Sequence, residues 1–341
     1  MMTALTALAG ALPRGMVNPF VFLLAARFLF GAFQSGAFPV WTRAMTDWIP
    51  LAERATGQGI TWMCSRLGGA VAPRLFLLLL VALGTWTTPL WLIAGVGVVW
   101  SVLFWIWFRD QPEQVRSVNQ AELRQIKAAR PAAATGGVAI PWSTLLTSRN
   151  VWALCLMYGF VGFAGNFTTN LLPVYLARER HLSAELVKDL AGLPLAFGIV
   201  SCLLGGLISD RVSRRWGNRK WGRRVNGFVG LALAGLFFAV VPWIQSTWWL
   251  GFAFSAAFFL NDLNVAPAWA ACADVGEECA GTISGAMNMS AQFGGAIGMS
   301  LAGYLLERGH AGILFAIFAA SYCLAALCWV GVDVTRPLRR A

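Results

Sequence analysis

Charge is what this sequence has least of. Asp and Glu number 15 and Lys and Arg 26 in 341 residues, so 12% of the chain is charged where soluble domains carry about a quarter. That scarcity excludes a soluble enzyme, a disordered regulator and a secreted disulfide scaffold. Histidine occurs only as His181 and His310, in separate loop-like stretches, which offers neither a metal site nor the paired His and Asp of a membrane-embedded enzyme. The seven cysteines form no C-x-x-C pair, and most lie in apolar runs, as small core residues do. No catalytic residue, metal or cofactor is expected.

What is abundant is apolar surface. The chain is 58% hydrophobic, with 17 Trp, 23 Phe and a mean hydropathy of +0.64. A helix needs about 20 residues to cross a ~30 Å hydrocarbon core, so the length accommodates up to about eleven spans. The pattern predicts an all-α polytopic membrane protein with ten apolar segments: near 1–12, 19–45, 56–83, 87–108, 149–177, 187–209, 223–244, 247–271, 280–306 and 311–332. The opening segment has small residues but no basic leader, and reads as part of a membrane helix rather than a signal peptide. Between Arg109 and Arg149 lies the one long polar stretch, with an amphipathic candidate at 121–129 and a soft P-A-A-A-T-G-G run. The organisation is therefore a partial N-terminal bundle of four spans (1–108), a linker (109–148), a C-terminal six-helix bundle (149–332) and a basic tail (333–341).

The net charge of +11 reflects orientation, not nucleic acid. The stretches around Arg54, 109–149, 211–224 and beyond Val332 carry 17 of the 26 basic residues, and the alternate loops carry five. The positive-inside rule puts the linker, the 211–224 loop and the C-terminus in the cytoplasm of a cell (inner) membrane. Tryptophans flank both sets of loops, as an interfacial belt does.

The two sides of the linker look like unequal copies. Pro50-Leu-Ala-Glu53-Arg54-Ala-Thr-Gly57 and Val275-Gly-Glu-Glu278-Cys-Ala-Gly281 each follow a span with an internal proline (Pro39, Pro267) and each open a glycine-rich span. Measured from that repeat, the first half is shorter by about two helices.

The run Gly205-Gly206-Leu-Ile-Ser-Asp210-Arg211-Val-Ser-Arg214-Arg215-Trp-Gly217 resembles the signature loop of the major facilitator superfamily. Arg27-Phe-Leu-Phe-Gly31-Ala-Phe-Gln34-Ser-Gly36-Ala-Phe-Pro39, with Trp48-Ile-Pro50-Leu-Ala-Glu53-Arg54 after it, resembles the fourth helix of the anion:cation symporters within that superfamily. Gly281-Thr-Ile-Ser284-Gly285-Ala-Met-Asn288-Met resembles their eleventh. The resemblance implies a two-bundle carrier lacking the first two of twelve helices. It also implies alternating access about a midplane site, a small organic anion such as a sugar acid, and a proton or other cation as co-substrate. The lipid bilayer would be its other partner. It further implies a conformational latch built from Gly206, Asp210, Arg211, Arg214, Arg215, Glu53 and Arg54. A non-transporting sensor or a degenerate remnant is the alternative. The chain departs from the family at Gln34, where an acid is usual and where glutamine takes up no proton.

Ionisable residues inside spans cost a few kcal/mol, so they should face a cavity or a partner. Arg66 lies about ten residues into its span, ~15 Å from the end at the α-helical rise. It suits a bidentate clamp for a substrate carboxylate, or a structural arginine bonded to carbonyls. Arg27, on the same helical face as Gln34, is a second clamp or an inter-helix lock. Tyr158 and Asn170 belong to a polar patch with Asn166 and Thr169. Asn288 and Gln292 share a face at i, i+4 and could bind hydroxyls or staple helices. Asp262 is a candidate proton carrier in place of an acid at position 34. The Gly281/Gly285 and Gly294/Gly298 pairs read as helix packing.

Overall fold

A computed structural model describes residues 19–115, 117–128 and 142–338. The expected segment near 1–12 and the P-A-A-A-T-G-G run lie outside the described residues. The other nine expected segments are helical. In the N-terminal half these are α1 (Pro19–Gln34), α2 (Ala37–Trp48), α3 (Arg54–Leu83) and α4 (Thr87–Trp107). The linker holds α5 (Gln120–Ala128) and α6 (Trp142–Thr147). The C-terminal half holds α7 (Arg149–Asn170), α8 (Leu172–Arg178), α9 (Ala184–Arg215), α10 (Arg219–Val240), α11 (Thr247–Leu263), α12 (Val265–Gly276), α13 (Ala280–Glu307) and α14 (Ala311–Gly331).

Seven helical segments among the described residues are long and apolar enough to cross a membrane. Two expected spans differ for identifiable reasons. The 247–271 segment is broken into α11 and α12, and α13, though 28 residues long, is diluted by glycines and by Asn288 and Gln292.

The breaks follow from proline chemistry. Pro39 has no N–H for the carbonyl of Ser35, and the chain turns at Ser35 and Gly36 between α1 and α2. Pro267 has none for Leu263, and α11 ends at Leu263. The side-chain amide of Asn226 donates to that Leu263 carbonyl (3.3 Å). The internal prolines of the sequence repeat thus interrupt corresponding helices in the two halves. Pro73 and Pro194 remain inside continuous helices.

In the C-terminal half α7 lies along α13, α10 along α14, and α9 along α11. A buried aromatic cluster of Phe167, Tyr175, Phe238, Phe254, Phe315 and Phe318 fills its core, with edge-to-face contacts such as Phe167–Phe315 at 5.5 Å. The α7–α13 contact is made through backbone, since a Cβ on Gly298 would overlap the Phe163 carbonyl. Gly281 and Gly285 instead face Pro39 of α2, so both glycine pairs serve helix packing. The halves meet where α3 packs on α9 and α12, and α2 on α13. Beyond α14, Asn150 accepts from the Asp333 amide (2.7 Å) and donates to the Arg336 carbonyl (3.2 Å). Lys220 pairs with Asp333 (2.9 Å), and the Leu338 amide donates to the Val275 carbonyl (2.9 Å). The tail is strapped across the ends of the helices.

Gly298→Ala should lower the thermal unfolding midpoint, since overpacking costs about 1–3 kcal/mol. Gly303→Ala on the same helix, where a Cβ meets open space, should not, and paired melts of the two variants check this.

Candidate functional site

Arg66 lies on the face of α3 that turns toward α11. Its guanidinium sits over the Phe258 ring (5.0 Å to the centroid) and reaches Asp262 one turn further along α11. Nε donates to one carboxylate oxygen at 2.7 Å and Nη2 to the other at 2.9 Å, a bidentate pair joining the two halves. Asp262 is fully buried, whereas the Arg66 side chain keeps 23% of its exposure. The Asn261 amide (3.0 Å) and the Cys202 thiol (3.6 Å) also donate to the Asp262 carboxylate, and Tyr322 steadies Asn261 from α14 (3.2 Å).

One turn before Arg66, Trp62 begins an aromatic floor. Phe38 of α2 stacks flat on it (4.4 Å, 5°), and Trp269 of α12 tilts against both at 5.4 and 5.7 Å. The Trp269 indole donates to the Tyr158 hydroxyl (2.8 Å), which brings in α7. Four helices from both halves therefore close the space on the side of Arg66 toward Arg54.

A second charged cluster lies at that Arg54 end. Asp210 accepts from the amide (2.7 Å) and hydroxyl (2.8 Å) of Thr56, so it caps α3, and pairs with Arg223 of α10 at 2.7 Å. Arg54 reaches Asp274 of α12 at 3.2 Å, and Arg223 and Arg219 approach the same carboxylate at 3.3 and 3.5 Å. Arg54, Arg223, Asp210 and Asp274 are all buried. Gly206 is required here, because a Cβ would overlap the Ala55 carbonyl of α3. Just outside the helices, burial pushes the Glu277 carboxyl up. At Asp333 burial pushes the same way but is outweighed by Thr335 and Lys220, which bring that carboxyl down to about 2.

The residues singled out in the sequence are brought together only in part. Arg66, Asp262 and Tyr158 fall in one neighbourhood. Arg27, Gln34, Asn170 and Gln292 are exposed, Asn288 is half-buried, and none of them is bonded to Arg66 among the described residues. Asn170 bonds its own helix through the Asn166 carbonyl (2.9 Å). Of the residues expected to form a latch, Gly206, Asp210 and Arg54 lie in this charged cluster. Arg211, Arg215 and Glu53 are exposed and form no ion pair among the described residues, and Arg214 reaches only the Ala52 carbonyl (3.4 Å). Helix geometry explains the first two: 211 and 215 point away from the α3 contact that Gly206 and Asp210 make, whereas 214, one turn after Asp210, shares its face. Arg223, Asp274 and Thr56 were missed. The signal available was an acid, Asp274, placed among apolar residues seven after Pro267.

A sequence model described as Major Facilitator Superfamily matches residues 1–299. The chain belongs to the major facilitator superfamily. It is 33% identical over 318 residues to a probable sulfoacetate transporter of Cupriavidus necator, covering 92% of this chain and 73% of that protein. It is 26% identical over 296 residues to a hexuronate transporter of Bacillus subtilis (85% and 67%). It is also 26% identical over 305 residues to a probable galactarate/D-glucarate transporter of Escherichia coli (84% and 65%). Among solved structures, the human organic anion transporter MFSD10 superposes with a TM-score of 0.67 at 16% identity, covering 96% of this chain and 75% of that one. That likeness is one of fold.

Asp274→Asn leaves three guanidiniums facing one another, so amides 54–59 should exchange hydrogen at least about tenfold faster, a loss of about 1.4 kcal/mol of protection. Arg211→Gln should leave exchange unchanged.

Proposed function

We propose that this chain is a secondary active carrier for a small organic anion, and that Arg66 is its carboxylate clamp. The observation that carries the reading is the bidentate Arg66–Asp262 pair between the two halves. Asp262 occupies the guanidinium with the same functional group that a substrate acid would present. The two compete for one cation. Protonating Asp262 removes the competitor and hands the guanidinium to the substrate, and substrate release lets the pair re-form as the proton leaves. This is a coupling device that needs no acid at position 34. It is supported by relatives described as transporters of sulfoacetate, hexuronate and galactarate or glucarate.

The aromatic floor and the charged latch close the Arg54 end. Alternating access then consists of parting Trp62 from Trp269 and Arg54 from Asp274 while the opposite end closes. The positive-inside distribution puts that Arg54 end and the C-terminus on the cytoplasmic side of the inner membrane. Chemistry on the substrate is not part of the reading, which rests on the transporter family to which the chain belongs.

Uptake into proteoliposomes tests the proposal, with radiolabelled sulfoacetate, glucuronate and glucarate and an imposed inward proton gradient. At least one should accumulate. Arg66→Ala should weaken its binding roughly 30-fold, about 2 kcal/mol for a charge-assisted bidentate contact. Asp262→Asn should retain counterflow exchange but no longer accumulate substrate against its gradient. Normal accumulation by both variants would refute the site assignment.

A further inference from the structure

A second cavity lies away from the Arg66 site. It has a volume of about 410 Å³ and sits where the spans ending at Trp48 and Trp107 leave the apolar region, roofed by the stretch leading into α5. Trp41, Trp48, Phe104 and Phe108 wall it, with Phe104 stacked on Phe108 at 4.8 Å and Trp48 tilted against Phe108 at 6.3 Å. Arg109 and Glu122 stand at its rim. None of these residues belongs to the clamp, the floor or the latch.

One group in this cavity is buried without a partner, and two exposed charged groups stand at its rim. The Trp48 indole nitrogen is buried with no hydrogen-bond partner among the described residues. Such a group costs about 1–3 kcal/mol unless something accepts from it. Arg109 is held in place through Nη1, which donates to the Ile106 (2.9 Å) and Phe108 (2.8 Å) carbonyls at the end of α4. Its other guanidinium nitrogens have no partner among the described residues. Glu122 is fixed by its backbone, whose amide donates to Asn119 (2.8 Å), and its carboxylate is likewise unpaired. A base and an acid therefore line one cavity without meeting each other.

We propose that this cavity binds a zwitterionic phospholipid with a primary amine, of the phosphatidylethanolamine type. Arg109 and the Trp48 N–H take the phosphate, Glu122 takes the ammonium, and the aromatic wall packs the glycerol and upper acyl chain. The depth fits, because aromatic residues at span ends lie at the headgroup layer. The charge pattern selects the headgroup. A purely anionic lipid leaves Glu122 opposed by like charge, a free fatty acid supplies no cation, and a trimethylated amine cannot donate to the carboxylate.

Native mass spectrometry of the full chain, released from micelles doped with equal amounts of phosphatidylethanolamine and phosphatidylglycerol, tests this. The wild-type chain should retain the ethanolamine lipid about fivefold over the glycerol lipid, about 1 kcal/mol. Glu122→Gln should bring that ratio to near one while keeping total lipid. Arg109→Gln should reduce retention of both. A second readout guards against misfolded variants: brominated-chain phosphatidylethanolamine should quench wild-type tryptophan fluorescence, and Trp48→Phe, which keeps an apolar ring, should lose part of that quenching. An unchanged lipid ratio in Glu122→Gln, a preference for phosphatidylglycerol, or quenching insensitive to Trp48 would overturn the proposal. The measurement involves no transport, so its failure would leave the Arg66 reading untouched.

Discussion

The pair between Arg66 and Asp262 is a buried charge contact that spans the two halves. A carboxylate without exposure and a guanidinium deep in an apolar helix are each costly, and together they offset most of that cost. Removing either partner strands a buried charge, and so does protonating Asp262 alone; on the proposed reading only a proton on Asp262 together with a substrate acid on Arg66 leaves neither group unpaired. Asn261 and Cys202 donate to the carboxylate and Tyr322 steadies Asn261, which holds Asp262 at a fixed place.

The latch uses a different economy of charge. Asp210 serves three donors at once, the Thr56 amide, its hydroxyl and Arg223, and thereby links the first turn of α3 to α10 through α9. Asp274 gathers Arg54, Arg219 and Arg223. Two carboxylates thus hold three guanidiniums, and each acid is shared between halves. Under the proposed alternating access, parting the halves at this end would lose several bonds in one movement, which favours discrete states over a continuum.

Much of this was legible in the chain. Arg66 and Asp262 stand out because charge is rare inside apolar runs, and Pro39 and Pro267 mark the helix breaks because a missing N–H has a fixed address four residues back. The glycine spacing on α13 announced close packing. The pairing of Arg66 with Asp262 was not legible, since they stand 196 residues apart and no local pattern relates them. Arg223 was hidden among seven basic residues of one loop, where position on the helix, not charge, decides which arginine turns inward. The aromatic floor was likewise unreadable: Phe38, Trp62 and Trp269 look like three more apolar residues in a chain with 17 tryptophans and 23 phenylalanines.

The strap formed by residues 332–338 has a consequence for how the molecule comes into being. Its Leu338 amide bonds the carbonyl of Val275, the neighbour of Asp274, and Lys220 and Asn150 anchor it at Asp333. A ribosome makes Val275 well before Leu338, so this bond can close only after α13 and α14 have been made, and the strap is the last part of the chain to dock.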